Sequence, residues 1–358
     1  MKINGYPKCE PDECFSSWIY RASMKQHLPR PIHVDEVMEC FDSTRDYDFS
    51  VMGLAKFAAR YSFDANQLIW YFRPECMWLL PCRERQVYCL ECLKSDIVAG
   101  GLPCWRKSWC YLYAPICPIH KIVLTRMDQL DFEFDKAWSA FSNSAEWGRH
   151  DESCRNLQLP LVYNSIGSKA IRFALKTQNL IRRAHKEDRV EIYGSQIKFD
   201  SVDVLSFCAF VFNHVLYPRR PGVYYGIGRF REYKMPLSRF PDQDSALRAG
   251  CEDCDVFARV FALLLIGLIL GVSPSQSLSD FTDSFIVPFT IRDVDIKGIG
   301  ELFHALWIMD FQILARHQLC GSSEAFLRHI RLFLAGLSKH VRSFSYENIM
   351  KSRFAEGY

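Results

Sequence analysis

Two short spacings, Cys89-x2-Cys92 within YCLECLKSD and Cys117-x2-His120 (CPIH), constrain this chain more than any other feature. Thiolates separated by two residues can reach one ion, because the tight turn between them aims backbone amides at the sulfurs. A second such pair completes a tetrahedron. Pro115 and Pro118 favour a turn around the second pair, although the gap between the pairs is somewhat longer than the usual ribbon spacing. The pattern predicts a Cys3His Zn2+ site on Cys89, Cys92, Cys117 and His120; the alternative is four buried thiol and imidazole groups without an ion. With four protein ligands no position is left for a reacting water, so the expected role is structural. Glu91 and Asp96 lie close by, but the histidine–glutamate half of a deaminase signature is absent.

The rest of the chain must form its own core. A length of 358 residues with 49% hydrophobic content supports two domains or more. Lys and Arg number 44 against 41 Asp and Glu, a net charge of +3, so any nucleic-acid role has to rest on local patches. The opening MKINGYPKCEPDECF shows no apolar stretch behind a basic one, so a cytoplasmic location with the 15 cysteines reduced is expected. The longest apolar run, VFALLLIGLILGV at Val260–Val272, is 13 residues, too short for a membrane span, and reads as a buried helix.

The periodicities predict a mainly α protein. Residues 1–80 form a helix-turn-helix-like region, 81–130 a zinc-ribbon-like module, and 131–358 a helical C-terminal domain that begins irregularly (131–164). In the first region, helices are expected over Ser16–Lys25, with Trp18 as a core anchor and Pro29 and Pro31 behind it, and over Val34–Phe41. Two more, Val51–Arg60 and Asp64–Phe72, are separated by YSF, with Ser62 or Asp64 as N-cap. Helix, short turn, helix is the spacing of a DNA-reading module. The second of these helices contains no Lys or Arg, and only Lys56, Arg60 and Arg73 flank it. Asn66 and Gln67 suit a base edge, whereas the missing cations favour packing or protein contact.

Tyr88, Cys89, Cys92, Leu93, Asp96, Pro103, Trp105, Arg106, Trp109, Cys117, Pro118, His120 and Leu124 together resemble the zinc-binding core of TniQ-family transposition proteins. The earlier PDECFSSWIYRAS at Pro11–Ser23 resembles that family's opening, an acidic residue ahead of a Ser-Ser-Trp helix bearing an arginine. The chain departs from the pattern at Cys104, where an aromatic residue is usual, and has no further cysteine pair soon after Leu124. The resemblance implies a bacterial, non-enzymatic adapter for target-site selection in transposition and DNA integration. Such proteins read target DNA directly or dock on an RNA-guided CRISPR effector with its guide RNA, as in CRISPR-associated transposons, and engage a AAA+ ATPase that calls in the transposase. The effector-docking members imply a homodimer. The alternative is a sequence-specific zinc-ribbon or helix-turn-helix DNA-binding protein acting as a transcription regulator; a zinc-stapled scaffold without nucleic acid is a third reading.

Further surfaces are candidates for nucleic acid or a partner. Residues 165–198 carry eight basic and three acidic residues, among them Lys169, Arg172, Lys176, Arg182 and Arg183; a solvated helix face is the other reading. Arg219 and Arg220 open a loop rich in Pro, Gly, Tyr and Arg at Tyr217–Pro241. Residues 326–358 hold six basic and two acidic residues. Trp105 and Trp109 read as core beside the knuckles rather than a base-stacking platform, and Arg106 as a side chain that holds a nearby carboxylate or backbone oxygen. Cys251-x2-Cys254 with His317 and Cys320 could form a second metal site, though buried thiols are the default. No phosphate loop, His-Glu-x2-His or Gly-x-Ser-x-Gly elbow is present, so no enzyme is expected.

Overall fold

The computed structural model describes residues 5–25, 27–41, 46–76, 78–127, 134–144, 168–192, 197–216, 256–272, 295–305, 319 and 321–338. The protein is mainly helical, and its chain divides into two compact units, Met1–Gln158 and Leu159–Tyr358. No described helix is long and apolar enough to cross a membrane.

The first unit opens with α1 (Phe15–Ser23), α2 (Val34–Cys40), α3 (Val51–Tyr61) and α4 (Ala65–Phe72). Each pair of apolar residues at helical spacing faces one aromatic core. Phe15 makes edge-on contacts with Phe57 (5.0 Å) and Phe72 (5.1 Å), and Trp18 lies 5.9 Å from Phe72. Trp18 is fully buried, with its indole N–H donating to the Pro7 carbonyl at 2.9 Å. α1 ends before the prolines that were expected to stop it. Of the two N-cap candidates for α4, Asp64 caps: its carboxylate accepts from the Gln67 amide at 3.1 Å. Ser62 instead closes α3 in the left-handed conformation (φ 58°).

Gly53 makes the closest approach in this bundle. A Cβ there would sit 2.1 Å from the Phe41 ring. Gly53→Ala is therefore expected to destabilise the first unit by about 1–3 kcal/mol through overpacking, although alanine in an open helix position would gain about 1 kcal/mol. A lower urea midpoint with an unchanged slope checks the sign.

The knuckle module follows in the same unit. β1 (Val87–Tyr88) pairs antiparallel with β2 (Thr125–Arg126), which brings the two ends of the module together. Between them lie α5 (Leu90–Val98) and a 3-10 turn at Lys107–Cys110. Residues 136–144 form a further helix, α6, within the stretch expected to be irregular.

The second unit contains α7 (Ser168–Ala184), α8 (Ser201–Val215), and further helices at Val256–Leu270, Ile296–Ala305, Glu324–His329 and Arg331–Ser338. The long apolar run lies in Val256–Leu270, buried on all sides, as its composition requires. Gly267 lets it approach α7, where an added Cβ would meet Thr177 Oγ1 at 2.3 Å. Asp203 ties α8 to the start of Glu324–His329, accepting from the Ser323 amide (2.9 Å) and hydroxyl (2.5 Å). An antiparallel hairpin, β3 (Arg189–Glu191) with β4 (Lys198–Asp200), interrupts a half expected to be largely helical. Its alternating residues explain it: Val190 and Phe199 are buried and paired, while their neighbours are exposed.

Candidate metal centre

Cys89 stands at the N-cap of α5 and Cys92 in its first turn, with the Cys92 amide donating to the Cys89 carbonyl at 3.1 Å. The second pair sits at the tip of a hairpin. The Cys117 amide donates to Ile122 O and the Lys121 amide to Cys117 O, both at 2.9 Å, while Lys121 adopts φ 55°. This turn aims the His120 amide at Cys117 Sγ, 3.4 Å away.

The four side chains converge. Their donor atoms all lie within 4.8 Å of one another. His120 Nδ1 is 3.4 Å from Cys89 Sγ, 3.3 Å from Cys92 Sγ and 3.8 Å from Cys117 Sγ; Cys92 and Cys117 sulfurs are 3.6 Å apart. A regular tetrahedron with metal–sulfur bonds of about 2.3 Å and a metal–nitrogen bond of about 2.0 Å has sulfur–sulfur edges of about 3.8 Å and sulfur–nitrogen edges of about 3.5 Å. The donor set thus fits a tetrahedral dication, with His120 binding through Nδ1.

The thiol chemistry agrees. Hydrogen bonding to Cys117, with burial behind it, pushes the Cys92 and Cys89 thiols up, and hydrogen bonds from Cys89 and Cys92 pull Cys117 down. Three sulfurs this close cannot all ionise on their own. A dication at their centre removes that conflict.

Around the cluster the module is tied to α1. The Cys14 amide donates to Trp105 O at 2.9 Å, and the Trp105 amide to Ser17 Oγ at 3.0 Å. Trp105 and Trp109 are both buried and meet edge-on at 5.5 Å. Asp12 accepts from the Ser108 amide at 3.1 Å, and Glu13 holds Arg21 through two 2.8 Å bonds. Arg106 pairs with Asp96 and donates to Pro11 O at 3.2 Å. Buried Lys136, on α6, reaches Asp48 Oδ2 at 2.6 Å and lies 5.2 Å over the Trp105 ring.

Other sequence-derived candidates separate on the surface. Lys56, Asn66, Gln67 and Arg73 are exposed. Arg60 is engaged by Glu39 at 2.6 Å and Glu36 at 3.2 Å. Lys169, Arg172, Lys176 and Arg183 are exposed on α7, and Arg182 is half-buried. Arg219, Arg220, Cys251, Cys254, His317 and Cys320 lie outside the described residues. Among the described residues the four knuckle side chains are the one group found that could hold a metal. Sequence reasoning missed Trp70, which is 66% exposed on the outward side of α4 beside Asn66 and Gln67. The signal was present: LIWYF offers five consecutive apolar residues, more than one face of a short helix can bury.

These features define a helical domain whose second half is built around a closed cluster of four side chains that could hold a metal ion. Residues 6–124 match the TniQ family model, a span that runs from the α1 approach to the residue before β2. Over these residues the chain carries a TniQ domain. No curated protein and no solved structure matches it.

Proposed function

We propose that this protein is a target-selection adapter in transposition, without enzymatic activity of its own, which links a target-recognising complex to a AAA+ ATPase and its transposase. Zn2+, held by Cys89, Cys92, Cys117 and His120, keeps the knuckle module folded against α1, so that both present one fixed surface. The observation that carries the docking version is the outward side of α4. It shows Trp70 flanked by Asn66 and Gln67, with no cation within the helix. Exposed tryptophan is a favoured anchor of protein interfaces, whereas a helix that reads a groove needs phosphate contacts to hold its register. Arg60, the nearest arginine before α4, is already bound to Glu36 and Glu39.

The test is a pull-down with tagged protein from the extract of its own host, with and without nuclease. Recovery of a AAA+ ATPase or a CRISPR effector that survives nuclease is expected, and Trp70→Ala should release the target-recognising partner while the fold is kept. Recovery of DNA-bridged proteins alone, with Trp70→Ala behaving as the parent, would replace the docking version by direct reading of target DNA.

A further inference from the structure

We infer that α7 in the second unit, outside the family-matched residues, carries a docking strip for the phosphate backbone of double-stranded DNA. Lys169, Arg172, Lys176, Asn179, Arg183 and Lys186 follow one another at alternating steps of three and four, so they share one side of the helix and of the turn that closes it. All six are exposed. Five of them are cationic, and Ser168–Ala184 contains no acid at all. The opposite side is apolar and buried, with Phe173, Leu180 and Ile181 inward.

An ordinary solvated helix face intersperses both signs, because like charges three or four apart repel. Here two of the arginines donate to neutral oxygens: Arg172 to Ser168 O (3.1 Å) and Oγ (3.2 Å), and Arg183 to Glu191 O (3.2 Å). These bonds orient the guanidinium groups without neutralising them. From Lys169 to Lys186 the strip runs about 25 Å at helical rise, most of one duplex turn of about 34 Å. No aromatic residue stands among the six, so the strip lacks the stacking platforms that grip single-stranded bases. Five cations in line, with Asn179 the one neutral member, fit a duplex backbone held chiefly through its phosphates.

The adapter reading gives this strip its purpose: it would hold flanking target DNA while other surfaces hold proteins. The two can fail separately. Fluorescence anisotropy of the full-length protein with a labelled duplex of arbitrary sequence should show log affinity falling against log salt with a slope of about −4.5 for five contacts. That is roughly 500-fold between about 50 and about 200 mM salt. Replacing Lys169 and Arg172 by Gln, or separately Arg183 and Lys186, should each reduce the slope by about two with unfolding midpoints unchanged. Lys169→Arg with Lys176→Arg should retain it. Unaltered slopes in both paired variants, absent duplex binding, or a preference for single strands or duplex RNA would overturn the strip. If duplex binding fails while the ATPase still co-purifies, the strip alone is wrong; if the strip binds and no ATPase or effector is recovered, the adapter reading alone is wrong.

Discussion

Cys89→Ser or His120→Ala is expected to unfold the knuckle module and lower the thermal midpoint of the first unit sharply, and chelation should do the same to the parent protein. Structural zinc in small modules contributes an apparent binding energy of about 10–16 kcal/mol near neutral pH, comparable with the whole stability of a typical domain. The loss should spread beyond the four ligands, because the Trp105 backbone is hydrogen-bonded to Cys14 and Ser17 at the start of α1. Metal analysis should return one zinc per chain in the parent and none in Cys89→Ser. Since binding requires the thiols to give up protons, the chelator-sensitive part of the stability should weaken as pH falls. Coincident melting curves with and without chelator would remove the structural metal.

Lys136→Met should be the most damaging single change away from the knuckles. It leaves the Asp48 carboxylate buried without its cation, which typically costs about 3–5 kcal/mol. In the native protein burial works against the charge on Asp48, but Lys136 outweighs it and holds the carboxyl below its usual range. The pair therefore contributes stability above the ordinary carboxylate range, and that contribution is lost as pH falls through the lowered native value. In Lys136→Met the sign reverses: burial, now opposed only by hydrogen bonding from Ser16, drives the Asp48 pKa up, so the deficit against the parent should shrink on acidification. Adding Asp48→Asn should recover part of the loss at neutral pH, since the remaining amide can still accept from the Ser16 amide that Asp48 holds at 3.0 Å. Denaturant midpoints at mildly acidic and neutral pH measure both effects. A double variant no more stable than Lys136→Met would rule out an uncompensated carboxylate as the cause.

This ion pair also marks a limit of reading by motif. Lys136 follows the matched span 6–124, yet its side chain is buried against Asp48 and Trp105 inside it. Nothing in the local sequence distinguishes it from a solvated lysine, because its partner lies 88 positions earlier. Arg60 was legible as a cation but not as an engaged one, whereas Arg106 was legible as a cation that holds a carboxylate or backbone oxygen, as it does with Asp96 and Pro11 O. Their carboxylates, Glu36 with Glu39 and Asp96, belong to other helices. Trp70 was hidden for the opposite reason: in a run of apolar residues, only the packed bundle decides which one is left outside.

The sequence by itself determined what is local. Periods of three and four place α1 to α4 to within a residue or a few. A buried apolar helix follows from a run too short to span a membrane, and the two knuckles follow from spacing alone, because ligands two residues apart need no distant partner to be recognised as a pair. Tertiary structure decided what depends on contacts between residues far apart in the chain. It brought the two knuckles to one point, with donor atoms within 4.8 Å. It joined them to α1 through Trp105, buried one lysine, neutralised two arginines and left Trp70 in solvent. The strip on α7 required both: the sequence supplied its cations, and the packing of Phe173, Leu180 and Ile181 turned them outward.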